Sequence, residues 1–95
     1  MSPALDPEFQ EWFRSRPQVV QDMVLTTPPW VLYHLDGDGD FYQILSYNEN
    51  GTVTATRYSS FDNIPMWNVF GIDPSKLTVA DPGAAHWLET QAHQR

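Results

Sequence analysis

The sequence predicts an α+β domain, mainly β, in which an antiparallel meander of about five strands curls into a small barrel between two N-terminal helices and a C-terminal one. Three observations predict it. Residues 30–72 hold short runs rich in β-branched and aromatic residues, WVLYHL, FYQILSY, TVTATRY and MWNVFGI, cut by the turn-forming clusters DGDGD and NENG. The residues before them carry helix caps and helical spacing, and AAHWLETQAH after Pro82 and Gly83 does the same. At 95 residues, with 41% hydrophobic and 14% aromatic side chains, the chain has the material for one core and no room for a second domain. We divide it into a helical extension (1–28), a β-barrel core (30–81) and a terminal helix (83–95).

Asp6 can cap a first helix that begins at Pro7, where a missing N–H costs nothing, and Glu8 and Glu11 suit the positive end of its dipole. Phe9, Trp12 and Phe13 then fall at i, i+3 and i+4, an apolar face expected to lie on the sheet as a lid. Ser15 or Arg16 leads into a second helix, PQVVQDMVL, with Val20, Met23 and Val24 on one side. Pro28 and Pro29 end it, because the residue before a proline avoids the helical region.

In WVLYHL the expected inward set is Val31, Tyr33 and Leu35, with Trp30 and His34 on the other face. FYQILSY is apolar nearly throughout, which places it centrally. Asn48 to Gly51 makes a tight turn, and Val53 and Ala55 then alternate with Thr52, Thr54 and Thr56 as a half-buried strand. After a loop from Ser59 to Pro65 comes MWNVFGI; Asp73 and Pro74 break it with one helical turn, and KLTVAD adds a short edge strand. The terminal helix offers Trp87 and Leu88 for docking.

Charge narrows the function. Asp and Glu total 12 against 5 Lys and Arg, Lys76 being the only lysine, for a formal charge of -7. Affinity for nucleic acid comes from cations that displace phosphate counterions, so neither nucleic acid nor an anionic membrane is an expected partner. Without cysteine there is no disulfide framework and no thiolate metal site. The first residues form no signal peptide and no run approaches the roughly 20 apolar residues of a membrane span, so we expect a soluble, cytoplasmic protein.

Chemical motifs fail one by one. Asp36, Asp38 and Asp40 space oxygens as a calcium loop does, but such a loop needs Gly at its sixth position and Glu at its twelfth, where this chain has Phe41 and Tyr47. His86 and His93 lie two helical turns apart, and His34 stands alone. Ser46, Ser59 and Ser60 lie in no nucleophile elbow, and DGDG lacks the lysine and helix of a phosphate loop. No catalytic residue, metal or cofactor is expected.

The run ILSYNENGTVTATRY followed by VFGIDPSKLTVAD resembles the SH3-like barrel pattern: a strand, a polar turn with Gly, a second strand, and a late turn leading into the closing strand. It is also similar to short uncharacterised proteins of bacteriophages and their bacterial hosts, in which a VFGI-D-P stretch ends a compact β-domain. The resemblance covers residues 30–81 and implies a closed barrel and a phage origin. It implies no catalytic or binding residue.

Aromatics are the remaining signal. Trp12 and Trp87 can staple the terminal helices to the barrel, whereas Trp30, Tyr58 and Trp67 are candidates for a protein-contact patch, since exposed aromatics concentrate at interface centres. We therefore expect a non-enzymatic adaptor that binds a basic, partly apolar protein, or forms a homo-oligomer, through an aromatic patch or an edge strand. The alternative is an acidic inhibitor that blocks a host DNA-binding, RNA-binding or defence protein by presenting Asp36, Asp38 and Asp40, with Glu49, Asp62 and Asp73, in place of phosphates.

Overall fold

A computed structural model describes residues 5–59 and 64–94. Helix α1 (Pro7–Arg14) begins as its sequence dictates: Asp6 accepts the Glu8 N–H at 2.9 Å and Pro7 opens the first turn. Phe9 and Phe13 are buried, and the Trp12 ring centroid lies 4.3 Å from that of Phe41, so the aromatic face of α1 does rest on the sheet. Helix α2 (Gln18–Leu25) follows Pro17 with no side-chain cap. The Ser15 hydroxyl instead donates to the Trp12 carbonyl at 2.7 Å and closes the end of α1. Val20, Val24 and Leu25 form the buried face of α2, and Met23, expected there, is exposed.

The strands are β1 (Tyr33–Leu35), β2 (Phe41–Tyr47), β3 (Val53–Tyr58), β4 (Met66–Ile72) and β5 (Leu77–Val79), with a 3-10 turn over Pro74–Lys76 before the last. All pairings are antiparallel, in the order β4-β3-β2-β1-β5, which puts FYQILSY in the middle as expected. The sheet is open where a closed barrel is expected. Among the described residues, strand β5 has three residues, all paired to β1, and β4 pairs only with β3, so the two edges do not join. Helix α3 (Ala84–His93) packs Ala84 and Leu88 inward, with Trp87 edge-on to Phe9 and Phe13. Trp12 and Trp87 thus hold the terminal helices.

Both faces of the sheet are covered. On the helix side Leu32, Tyr58 and the buried residues of α1, α2 and α3 make one cluster, with Phe41 and Met66 against it. On the other side Tyr42, Val53, Ala55 and Ile72 are buried together, and Tyr33, Leu35, Ile44, Val69 and Leu77 pack around them. All five strands contribute to this second cluster, which requires the sheet to curl around it. Two expectations change accordingly. Leu32 breaks the alternation of WVLYHL because it faces the helices while Tyr33 and Leu35 face the inner cluster. TVTATRY is buried on both sides rather than one: Thr56 donates to Asn68 Oδ1 at 3.2 Å, and Asn48 donates to Thr54 at 3.2 Å, so the hydroxyls are satisfied.

Candidate functional site

The acidic loop is divided by its neighbours. Asp36 is exposed, and its amide donates to the Lys76 carbonyl at 3.1 Å. Asp38 and Asp40 turn toward Arg57, whose Nη2 lies 3.1 Å from Asp38 Oδ2 and whose Nε lies 2.8 Å from Asp40 Oδ2. The register explains it, because Tyr42 and Arg57 face each other across β2 and β3, directly after the loop. Asp38 also accepts the Tyr42 hydroxyl at 2.6 Å and the Asp40 amide at 2.9 Å. The guanidinium lies over the rings of Tyr42 and Trp67, 5.8 Å and 5.0 Å from their centroids.

Burial would raise the Asp38 carboxyl, but the Tyr42 hydroxyl, the Asp40 amide and the Arg57 charge outweigh it and hold it below the usual carboxylate range. Burial, and then the bond to Asp38, pushes the Tyr42 phenol well up. Two of the three loop carboxylates are therefore matched internally. Of the other acids named for mimicry, Asp73 accepts the Ser75 amide and hydroxyl, at 3.0 and 2.8 Å, and caps the 3-10 turn. Glu49 is exposed on the β2–β3 turn, and Asp62 lies outside the described residues, as does Ser60. Among the described residues, no three metal-ligating side chains gather into a set that could hold an ion.

The three candidate contact aromatics do not form one patch. Tyr58 is fully buried and donates to Gln43 Oε1 at 2.6 Å, so it cannot belong to an exposed surface; burial also raises its phenol. Trp30 is half-buried: its indole N–H donates to the Leu25 carbonyl at 2.8 Å, closing α2, and its ring meets His93 edge-on. Trp67 is half-buried on the opposite side of the sheet, against Arg57.

The most exposed large apolar side chains, Tyr47, Phe70 and Ile64, lie on or next to β4 and the nearby hairpin end; Val19, Met23, Leu45 and Val79 are less exposed elsewhere. Strand β4 is an edge of seven residues, MWNVFGI, without a charge or a proline. Sheet edges ordinarily carry lysine, proline or very short strands that keep other chains from pairing with them. Phe70 is 73% exposed on this strand, and Ile64, just before it, is exposed as well. Phe70 and Gly71 share with Tyr47, Asn50 and Thr52 a shallow hollow of about 750 Å³. Gly71 holds a φ of 73° at the register shift between β3 and β4, a backbone conformation that favours glycine. Sequence reasoning passed over Phe70, although the missing charge in MWNVFGI was a legible signal.

No family model, curated protein or solved structure matches the chain.

Proposed function

We propose that the chain is a non-enzymatic protein-binding domain that takes an extended segment of its partner as an added strand along β4. The observation that carries this reading is an uncharged, seven-residue edge strand with Phe70 exposed on it. Main-chain hydrogen bonds to a free edge supply affinity, and alternate side chains supply selectivity. With a charge of -7 on this chain, the fitting partner segment is apolar at alternate positions and net basic. The same charge disfavours self-pairing, since a second copy brings an equal charge to the same edge.

In this reading the meander, its 3-10 turn and the return of β5 to β1 form an SH3-like barrel left open at the seam between β4 and β5. It acts in the cytoplasm, where a chain without cysteine needs nothing from an oxidising compartment. The acidic-inhibitor alternative has less support, because Arg57 already occupies Asp38 and Asp40. A displayed library of random peptides of about ten residues, panned on the wild type, tests the proposal. Enriched sequences should alternate apolar residues, carry net positive charge and lose at least about tenfold in affinity for Phe70→Lys. Enrichment of peptides indifferent to that substitution, or of acidic ones, overturns it.

A further inference from the structure

On the helix side of the sheet, away from β4, α1 and the start of β2 enclose a cavity of about 300 Å³. Its aromatic walls are Phe9, Trp12, Phe41 and His34. Phe41 is their centre, with ring centroids 4.3 Å from Trp12, 4.8 Å from His34 and 5.6 Å from Phe9. Its other walls bring three carboxylates, Asp6, Glu8 and Asp81; among the described residues neither lysine nor arginine lines it, and the Arg16 guanidinium lies 5.6 Å from the ring centroid of the Trp12 wall.

We propose that this cavity binds an organic ammonium group, a cation whose charge is spread over alkyl substituents. The inference stands apart from strand addition at β4. Ring faces attract such cations through their quadrupole, and Phe, Trp and His walls also accept the alkyl shell that a small metal ion lacks.

A second observation agrees. Asp81 is only 9% exposed, and its oxygens accept two neutral donors, the Asp6 amide at 2.9 Å and the Gly83 amide at 3.0 Å. It has no cationic partner among the described residues. A buried charge is ordinarily paired, so a carboxylate held in place by neutral groups leaves negative potential at the cavity wall. Glu8, exposed at the rim, adds to it. The volume sits at the lower end of small-molecule sites, sufficient for a trimethylammonium group and a short alkyl stem.

Choline is the first probe, read by NMR at the Trp12 indole N–H and the backbone amides of His34 and Phe41. We expect saturable shifts with a dissociation constant of about millimolar order, weakened about threefold in Glu8→Gln, whose exposed side chain leaves the fold intact. Peptides bearing trimethyl-lysine or unmodified lysine form the second arm. Tighter binding of the trimethylated peptide than of choline assigns the group to a protein partner, and the reverse assigns it to a free metabolite. The control is 3,3-dimethylbutanol, which has the same shape without the charge. Equal shifts from the control, or no choline shifts at about ten times that concentration, overturn the proposal.

Discussion

Replacing Arg57 with methionine keeps an apolar stem over Tyr42 and Trp67 and removes the guanidinium that Asp38 and Asp40 share. The side chains of Asp38 and Asp40 are 17% and 10% exposed, and that of Arg57 is 31%. Removing one partner of a fully buried pair costs about 3–5 kcal/mol; with Arg57 nearly a third in water, we discount this to about 2–3 kcal/mol. Loss of the two cation–ring contacts adds about 0.5–1 kcal/mol each, partly recovered by the methionine. A net loss of about 3 kcal/mol in a domain of this size lowers the thermal midpoint by roughly 12–24 °C. The assay is thermal unfolding by circular dichroism, repeated with Asp38→Asn and Asp40→Asn added to Arg57→Met. The triple variant should regain part of the loss, because no unpaired carboxylate remains.

The pH dependence has a definite sign. Asp38 ionises at lower pH in the folded chain than in the unfolded one. Its contribution is therefore fully present above the unfolded value of about 3.9 and is lost as pH falls through the folded one. This acid-side slope should flatten in Arg57→Met. A loss below about 1 kcal/mol, the value of an exposed ion pair, would refute the reasoning. The loop carboxylates would then be solvated and free for a partner, which returns weight to the mimicry reading.

Gln43 joins the sheet to α2, donating to the Val24 and Thr27 carbonyls at 3.1 Å each while accepting from Tyr58. Gln43→Leu strands these groups and should cost about 3 kcal/mol in urea unfolding. Trp30→Phe keeps the ring against His93 but removes the donor to the Leu25 carbonyl, an expected loss of about 1 kcal/mol in the same assay. Phe70→Lys should change stability by no more than about 0.5 kcal/mol while weakening peptide binding at least about tenfold, measured by urea unfolding beside the binding assay. A large stability loss there would make Phe70 part of the packing and remove it as a contact.

What the sequence discloses here is local, and what it hides is pairwise. MWNVFGI and AAHWLETQAH coincide with β4 and α3 because turn and cap residues bound them in the chain itself. The threonines of β3 look solvent-facing because hydroxyls usually are, yet Asn48 and Asn68 from neighbouring segments supply the bonds that let them be buried. Tyr58 misleads in the same way, since its partner Gln43 lies on another strand. Arg57 was within reach: it is the only lysine or arginine between Trp30 and Ile72, and a meander register sets it beside the DGDGD loop. Once Asp38 and Asp40 are matched inside the fold, much of the remaining acidity among the described residues sits on exposed groups such as Asp36, Glu8 and Glu49, which would repel a second copy while β4 itself stays uncharged. On the proposed strand-addition reading, an edge open to pairing on a body that repels its own kind favours a strand of opposite charge, and the acidity would act as a filter on partners and not as the contact itself.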